Sequence, residues 1–142
     1  MRSKTSHPAW LLKAAADPAV AAELWAGGRT APLVIGRQWD LARIDFPLAT
    51  AAICELKARG RHIGPYLMGG AERAMWWPVP LGTGYRLTGA PGVHVYPAGA
   101  ELFVPPPGKY LGERAWVVQE TGPALTSAGD LRQALDAAPY VT

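Results

Sequence analysis

The sequence predicts an α+β domain, and three observations carry that reading. Gly 16 and Pro 14 together make up about a fifth of the 142 residues, against roughly 12% in an average protein. Turns and short strands must therefore outweigh long helices. Helical signals cluster in the first 28 residues, and the rest is mostly short apolar runs broken by turn residues. Those runs come in neighbouring pairs with few helical crossovers, the pattern of antiparallel pairing rather than of βαβ units. Hydrophobic residues at 49% and charged residues at 18% are enough for a core and rule out a disordered chain.

Each element has a local cause. Ser6 or Thr5 is placed to cap a first helix, with Pro8 in its first turn and Ala9–Ala16 as its body. Asp17-Pro18 is a second cap-plus-proline start, and that helix stops at Gly27-Gly28. Ala31–Ile35 and Trp39–Phe46 read as strands. Pro47 opens a helix with Leu48, Ala51, Ala52, Cys54 (or Glu55) and Leu56 on its turns, ending at Gly60. Gly64–Met68 and Met75–Val79 read as a hairpin around Gly69-Gly70. Val93–Tyr96 and Glu101–Val104 follow, separated by the turn Pro97–Ala100. Pro105-Pro106-Pro107 is a stiff corner, Trp116–Val118 a last strand, and Ser127 or Asp130 caps a final helix holding Leu131, Ala134 and Leu135. The whole chain, 1–142, reads as one domain: a helical lead-in over 1–28 and an α+β core over 29–138.

A single cysteine, Cys54, excludes an internal disulfide and any cysteine-cluster zinc site. It points to a reducing, cytoplasmic compartment. Its apolar helical neighbours predict a buried, inert thiol. No apolar run approaches the roughly 18 residues that span a bilayer, and no signal core follows the basic start, so no membrane partner is expected. Net charge is +3, divided as +4 over residues 1–73 and −1 over residues 74–142. That balance suits ordinary solubility and also an acidic partner.

The motifs that carry chemistry are sparse. Metal-dependent phosphoryl transfer needs converging carboxylates, and Asp-x-Asp on a strand places two on one face. Asp40 and Asp45 are five apart, so they face opposite sides. The plain structural reading ends a turn at Asp40 and caps the Pro47 helix with Asp45. His7, His62 and His94 lack a zinc-site spacing, and His94 falls on the polar side of its strand. Gly82-Thr83-Gly84 lacks the phosphate-loop pattern. Trp76 and Trp77 point to opposite faces, which predicts at most one in the core. Arg73, Arg86, Tyr85 and Trp76 or Trp77 are candidates for a basic, aromatic groove, unless the six tryptophans simply fill the core. Lys57, Arg59, Arg61 and His62 gather at a helix end, where cations suit the dipole or a phosphate.

The chain resembles small actinobacterial proteins related to the bifunctional primase/polymerase N-terminal domain, of the archaeo-eukaryotic primase superfamily. The resemblance runs from about residue 10 to 138. It is carried by the Trp10-Leu11 helix, Gly36-Arg37-Gln38-Trp39-Asp40 and Met75-Trp76-Trp77-Pro78-Val79-Pro80. Gly92–Tyr96, Phe103-Val104-Pro105-Pro106-Pro107-Gly108, Trp116-Val117-Val118 and the Thr126–Leu135 helix complete it. The family site implied by the resemblance has Asp-x-Asp on a strand, a histidine after a Pro-Pro-Ser corner, and a later strand acid. Here Pro47 stands where the second aspartate belongs, and His94 or a neighbour stands at the strand acid. The corner reads Pro105-Pro106-Pro107-Gly108-Lys109-Tyr110, without serine or histidine.

The resemblance therefore implies a catalytically degenerate primase/polymerase-like domain with an accessory or regulatory role. It would bind nucleic acid or nucleotide through Arg37, Arg43, Arg61, Arg73, Trp76, Arg86 and Lys109. Asp40, Asp45 and His94 would be vestigial catalytic positions, with no metal site. An alternative is a protein-interaction module, with the tryptophans and the Pro105–Pro107 corner meeting a partner or a second copy. A retained magnesium- or manganese-dependent polymerase would require Asp40 or Asp45 to meet Glu101 or another acid.

Overall fold

A computed structural model describes residues 7–118 and 124–138 of the chain. The proposed caps Thr5 and Ser6 lie outside these residues. The lead-in begins with α1 (Ala9–Leu12) and α2 (Pro18–Ala26). The first helix is shorter than its alanines suggest. Ala14–Ala16 leave it to lie beside the first strand, where Val34 N–H donates to the Ala14 carbonyl at 2.8 Å. Ala14 and Ala15 are fully buried there, so tertiary pairing overrides helix propensity. α2 starts as expected, with Asp17 Oδ1 accepting from the N–H groups of Ala19 and Val20 at 3.1 and 3.3 Å.

The strands are β1 (Ala31–Val34), β2 (Trp39–Asp45), β3 (Tyr66–Gly69), β4 (Ala74–Pro80), β5 (Val93–Val95), β6 (Glu101–Val104) and β7 (Arg114–Val117). A 3-10 turn spans Gly84–Leu87. α3 (Phe46–Ala58) and α4 (Ala128–Ala137) complete the set. A five-stranded sheet runs β5-β2-β4-β3-β7, and β1 with β6 forms a separate ribbon. Every pairing is antiparallel. The fold is α+β. The β3–β4 hairpin forms around residues 70–73. Pro97–Ala100 does not close a hairpin; it hands the chain from β5 in the sheet to β6 in the ribbon. Gly36 makes that crossing possible. Its φ is +86°, and a Cβ there would stand 2.7 Å from the Ala98 Cβ.

Each face of the sheet packs against a layer of its own. α3, α4 and the second, even-numbered side of β2 enclose Ala42, Ile44, Met75, Trp77, Leu56 and Leu131. The lead-in and the ribbon enclose Trp39, Leu41, Leu67, Trp76 and Trp116 on the other side. Trp76 and Trp77 do point opposite ways, but each meets a core, and they are only 1% and 0% exposed. The expectation that at most one of them would lie in the core is corrected by this second layer.

The indoles are also bonded. Trp77 Nε1 donates to Thr126 Oγ1 at 2.9 Å, Trp25 Nε1 to the Val104 carbonyl at 2.9 Å, and Trp116 Nε1 to the Pro105 carbonyl at 2.8 Å. These are core residues with satisfied N–H groups, not free stacking platforms. Cys54 is exposed, contrary to the buried thiol expected. The buried line of α3 is Ala49, Ala52 and Leu56, and Cys54 sits well around the helix from it. Among the described residues no helix is long and apolar enough to cross a membrane.

Candidate functional site

Alternation along β2 sorts its two aspartates. Trp39, Leu41, Arg43 and Asp45 share the face turned toward the lead-in, and Asp40 shares the helix-bearing face with Ala42 and Ile44. Asp40 does not end a turn. It sits within the strand and accepts from the N–H groups of Gly82 and Gly84 at 3.1 and 2.8 Å. The Gly82–Gly84 amides considered for a phosphate are thus committed to an internal carboxylate. The absence of a side chain at Gly84 leaves room for this approach, since a Cβ would lie 2.9 Å from Asp40 Oδ2.

Asp45 holds the N-cap position of α3 but makes no side-chain cap hydrogen bond. An N-cap side chain bonds the N–H of the second or third helical residue. The second is Pro47, which has none. The Phe46 N–H is taken by the Arg73 carbonyl at 3.1 Å. The Asp45 carboxylate is left exposed, without hydrogen bond or ion pair among the described residues, while its backbone N–H donates to the Gly92 carbonyl at 3.4 Å. The capping role expected for it is not realised.

The register then gathers other groups around Asp45. One row across the sheet reads His94–Arg43–Trp76–Leu67–Trp116. The next reads Asp45–Ala74–Gly69–Arg114. Small side chains in the second row let the Trp76 ring lean over Gly69, where a Cβ would collide with it. Arg43 lies 5.7 Å and Arg114 lies 4.6 Å from the Trp76 ring centroid. Trp76 Nε1 donates to Tyr96 Oη at 3.0 Å, and the His94 ring meets Tyr96 edge-on at 5.1 Å. A cleft of about 480 Å³ opens here, lined by Arg43, Asp45, Gly92, Val93, His94 and Tyr96.

Arg114 and Glu72 frame the far side. Arg114 donates to Glu72 Oε2 at 2.8 Å and to the Phe103 carbonyl at 2.6 Å, so it ties the hairpin turn and the ribbon to the sheet edge. Glu72 Oε1 and Arg114 Nε, the remaining arms of this pair, are buried without a hydrogen-bond partner. Burial alone pushes the Glu72 carboxyl up. The hydrogen bond and charge of Arg114, with smaller help from its own backbone and from Arg43, outweigh that and leave it below its ordinary value. Arg43 has no ion pair among the described residues.

Of the candidate residues, Arg43, Asp45 and His94 meet in this cleft, and Trp76 is buried beneath Arg43. Arg73 is exposed in the turn that enters β4, with its carbonyl bonded to Phe46 N–H beside Asp45. The other cations are placed elsewhere. Arg37 donates to the carbonyls of Ala15 and Ala16 in the lead-in. Arg61 lies 3.9 Å from Asp130 of α4. Arg86 stacks on Tyr85 and lies close to Gly129 of α4, on the helix side. Lys109 lines a separate, largely apolar groove of about 610 Å³ with His7, Trp25, Pro106 and Pro107. Arg86 and Tyr85 therefore do not share a groove with Trp76.

Glu72, Arg114 and Tyr96 were not singled out. Arg114 stands two residues before Trp116 on a strand, so period-2 reading places it on the Trp116 face. Nothing local marks Glu72, whose partner is 42 residues away.

Glu101 lies on β6, outside the sheet that carries Asp40 and Asp45. Among the described residues no group of three or more His, Cys, Asp or Glu comes together as a metal site. What the cleft offers is one guanidinium, one imidazole and one carboxylate, a set suited to an anion that also carries hydrogen-bond donors. Comparison of the chain with protein-family models, with curated proteins and with solved structures found no match.

Proposed function

We propose that this chain is a catalytically degenerate primase/polymerase-like domain. In this reading it binds nucleic acid or nucleotide at the uncovered end of its sheet and acts in an accessory or regulatory role. The observation that supports this is the meeting of Arg43, Asp45 and His94 in one open cleft, with Arg43 unpaired among the described residues. An unpaired guanidinium on a rigid strand is a ready phosphate ligand, because its donor fork loses little freedom on binding. The single carboxylate in the cleft supports the degenerate reading, since two-metal nucleotidyl transfer needs at least two.

The test is fluorescence anisotropy of labelled single-stranded DNA over about 20 to 300 mM salt. Binding that weakens log-linearly with salt supports the reading. No binding at the lowest salt, up to about 50 μM protein, overturns it.

A second reading, a protein-interaction module, has its own observation. Phe103 is 50% and Tyr110 68% exposed, and the apolar groove beside Trp25 and Pro106 is open. Concentration-dependent self-association in sedimentation analysis would favour it.

A further inference from the structure

Two features of Asp45 leave its carboxylate uncommitted. It stands at a helix start without capping it, and it stands two residues from Arg43 on one strand face without pairing with it. Positions i and i+2 on a strand are roughly 6.6 Å apart, within reach of a long guanidinium side chain. Arg43 is instead drawn onto the Trp76 ring, and His94 stands directly across from it in the register. The cleft therefore presents a guanidinium, Arg43, with the His94 imidazole beside it, and a carboxylate, Asp45.

An ionised carboxylate only accepts hydrogen bonds. Beside a bound phosphate it is unfavourable unless the ligand brings a donor to it. The sugar of a nucleotide is one short step from its phosphate. In RNA that sugar carries a 2′-hydroxyl donor, and in DNA it does not. We infer that Asp45 is a specificity-determining residue that accepts the 2′-hydroxyl, so that the cleft takes ribonucleotide strands in preference to deoxyribonucleotide strands. This rests on the reading above, that the cleft binds nucleotide phosphate. With one carboxylate and no cluster of metal ligands among the described residues, the preference should not need a divalent cation.

The experiment is anisotropy with labelled RNA and DNA 12-mers of one sequence, in EDTA at low salt. The full chain is compared with Asp45→Ala and Arg43→Ala. A hydrogen bond to a charged group corresponds to about tenfold in affinity. The wild type is expected to bind RNA about tenfold tighter than DNA. Asp45→Ala should weaken RNA binding and leave DNA binding equal or tighter, because a repulsive charge is gone. Arg43→Ala should weaken both. Equal binding of RNA and DNA, or an RNA preference unchanged in Asp45→Ala, overturns the role of Asp45 and leaves the nucleic-acid reading standing. Binding of neither strand overturns both. The Asp45 side chain makes no hydrogen bond or ion pair among the described residues, so thermal melting should confirm that Asp45→Ala folds as the wild type does.

Discussion

The two ends of one sheet face differ sharply. At one end β2 presents Trp39 and Leu41, which are 2% and 0% exposed beneath the lead-in and the ribbon. At the other end the same strand, on the same face, presents half-buried Arg43 and exposed Asp45, which line the cleft beside His94. The covered end explains its residues fully by packing. The open end does not: Asp45 neither caps nor pairs, and Arg43 is held by an aromatic ring rather than a carboxylate. Polar groups whose positions packing does not require are the ones to ask about function.

Substitutions sharpen that contrast, beginning with the cores. Trp77→Ala should cost about 3–5 kcal/mol, since it opens a large cavity and removes one of the two donors, the other being Gly64 N–H, from which the Thr126 hydroxyl accepts. Chemical denaturation measures it. Arg114→Ala should cost about 2 kcal/mol, because it breaks the bonds to Glu72 and to the Phe103 carbonyl. It should also loosen the wall behind Trp76, readable as a change in tryptophan fluorescence.

Acid provides a finer probe of the open end. The Glu72 carboxyl is depressed in the folded state. A depressed carboxylate contributes stability above its unfolded pKa and loses it as pH falls through the folded one. Wild-type stability should therefore fall below about pH 4.5, and Glu72→Gln should be less stable at neutral pH and less sensitive to acid over that window. The smallest effect concerns Cys54. As the single, exposed thiol, it should react with a maleimide in the native protein at one equivalent, with no change in melting temperature.

Much of the fold was legible from local signals. Turn residues and apolar periodicity marked every helix and strand, because Asp17-Pro18, Pro47 and the Gly-rich breaks act within a few residues of themselves. Pairing was less legible. Nothing within Val93–Tyr96 or Glu101–Val104 says that one joins β2 and the other β1. That single unknown hid the second layer over the sheet, and with it the burial of both Trp76 and Trp77. At the site, alternation alone separates Asp40 from Asp45. The failure of Asp45 to cap was not readable, since Pro47 removes one usual donor but leaves the Leu48 N–H. Glu72 was not readable, since its meaning comes from Arg114 across 42 residues.

The most direct test of the central claim compares cations on the two sides of the sheet. Single-stranded nucleic-acid binding would be measured by anisotropy for wild type, Arg43→Ala and Arg86→Ala at one low salt concentration. Arg43 lines the open cleft, and Arg86 lies against α4 on the other side. The account predicts that Arg43→Ala weakens binding by about tenfold while Arg86→Ala stays within about twofold of wild type. Equal losses in both variants, or a loss only in Arg86→Ala, would contradict it.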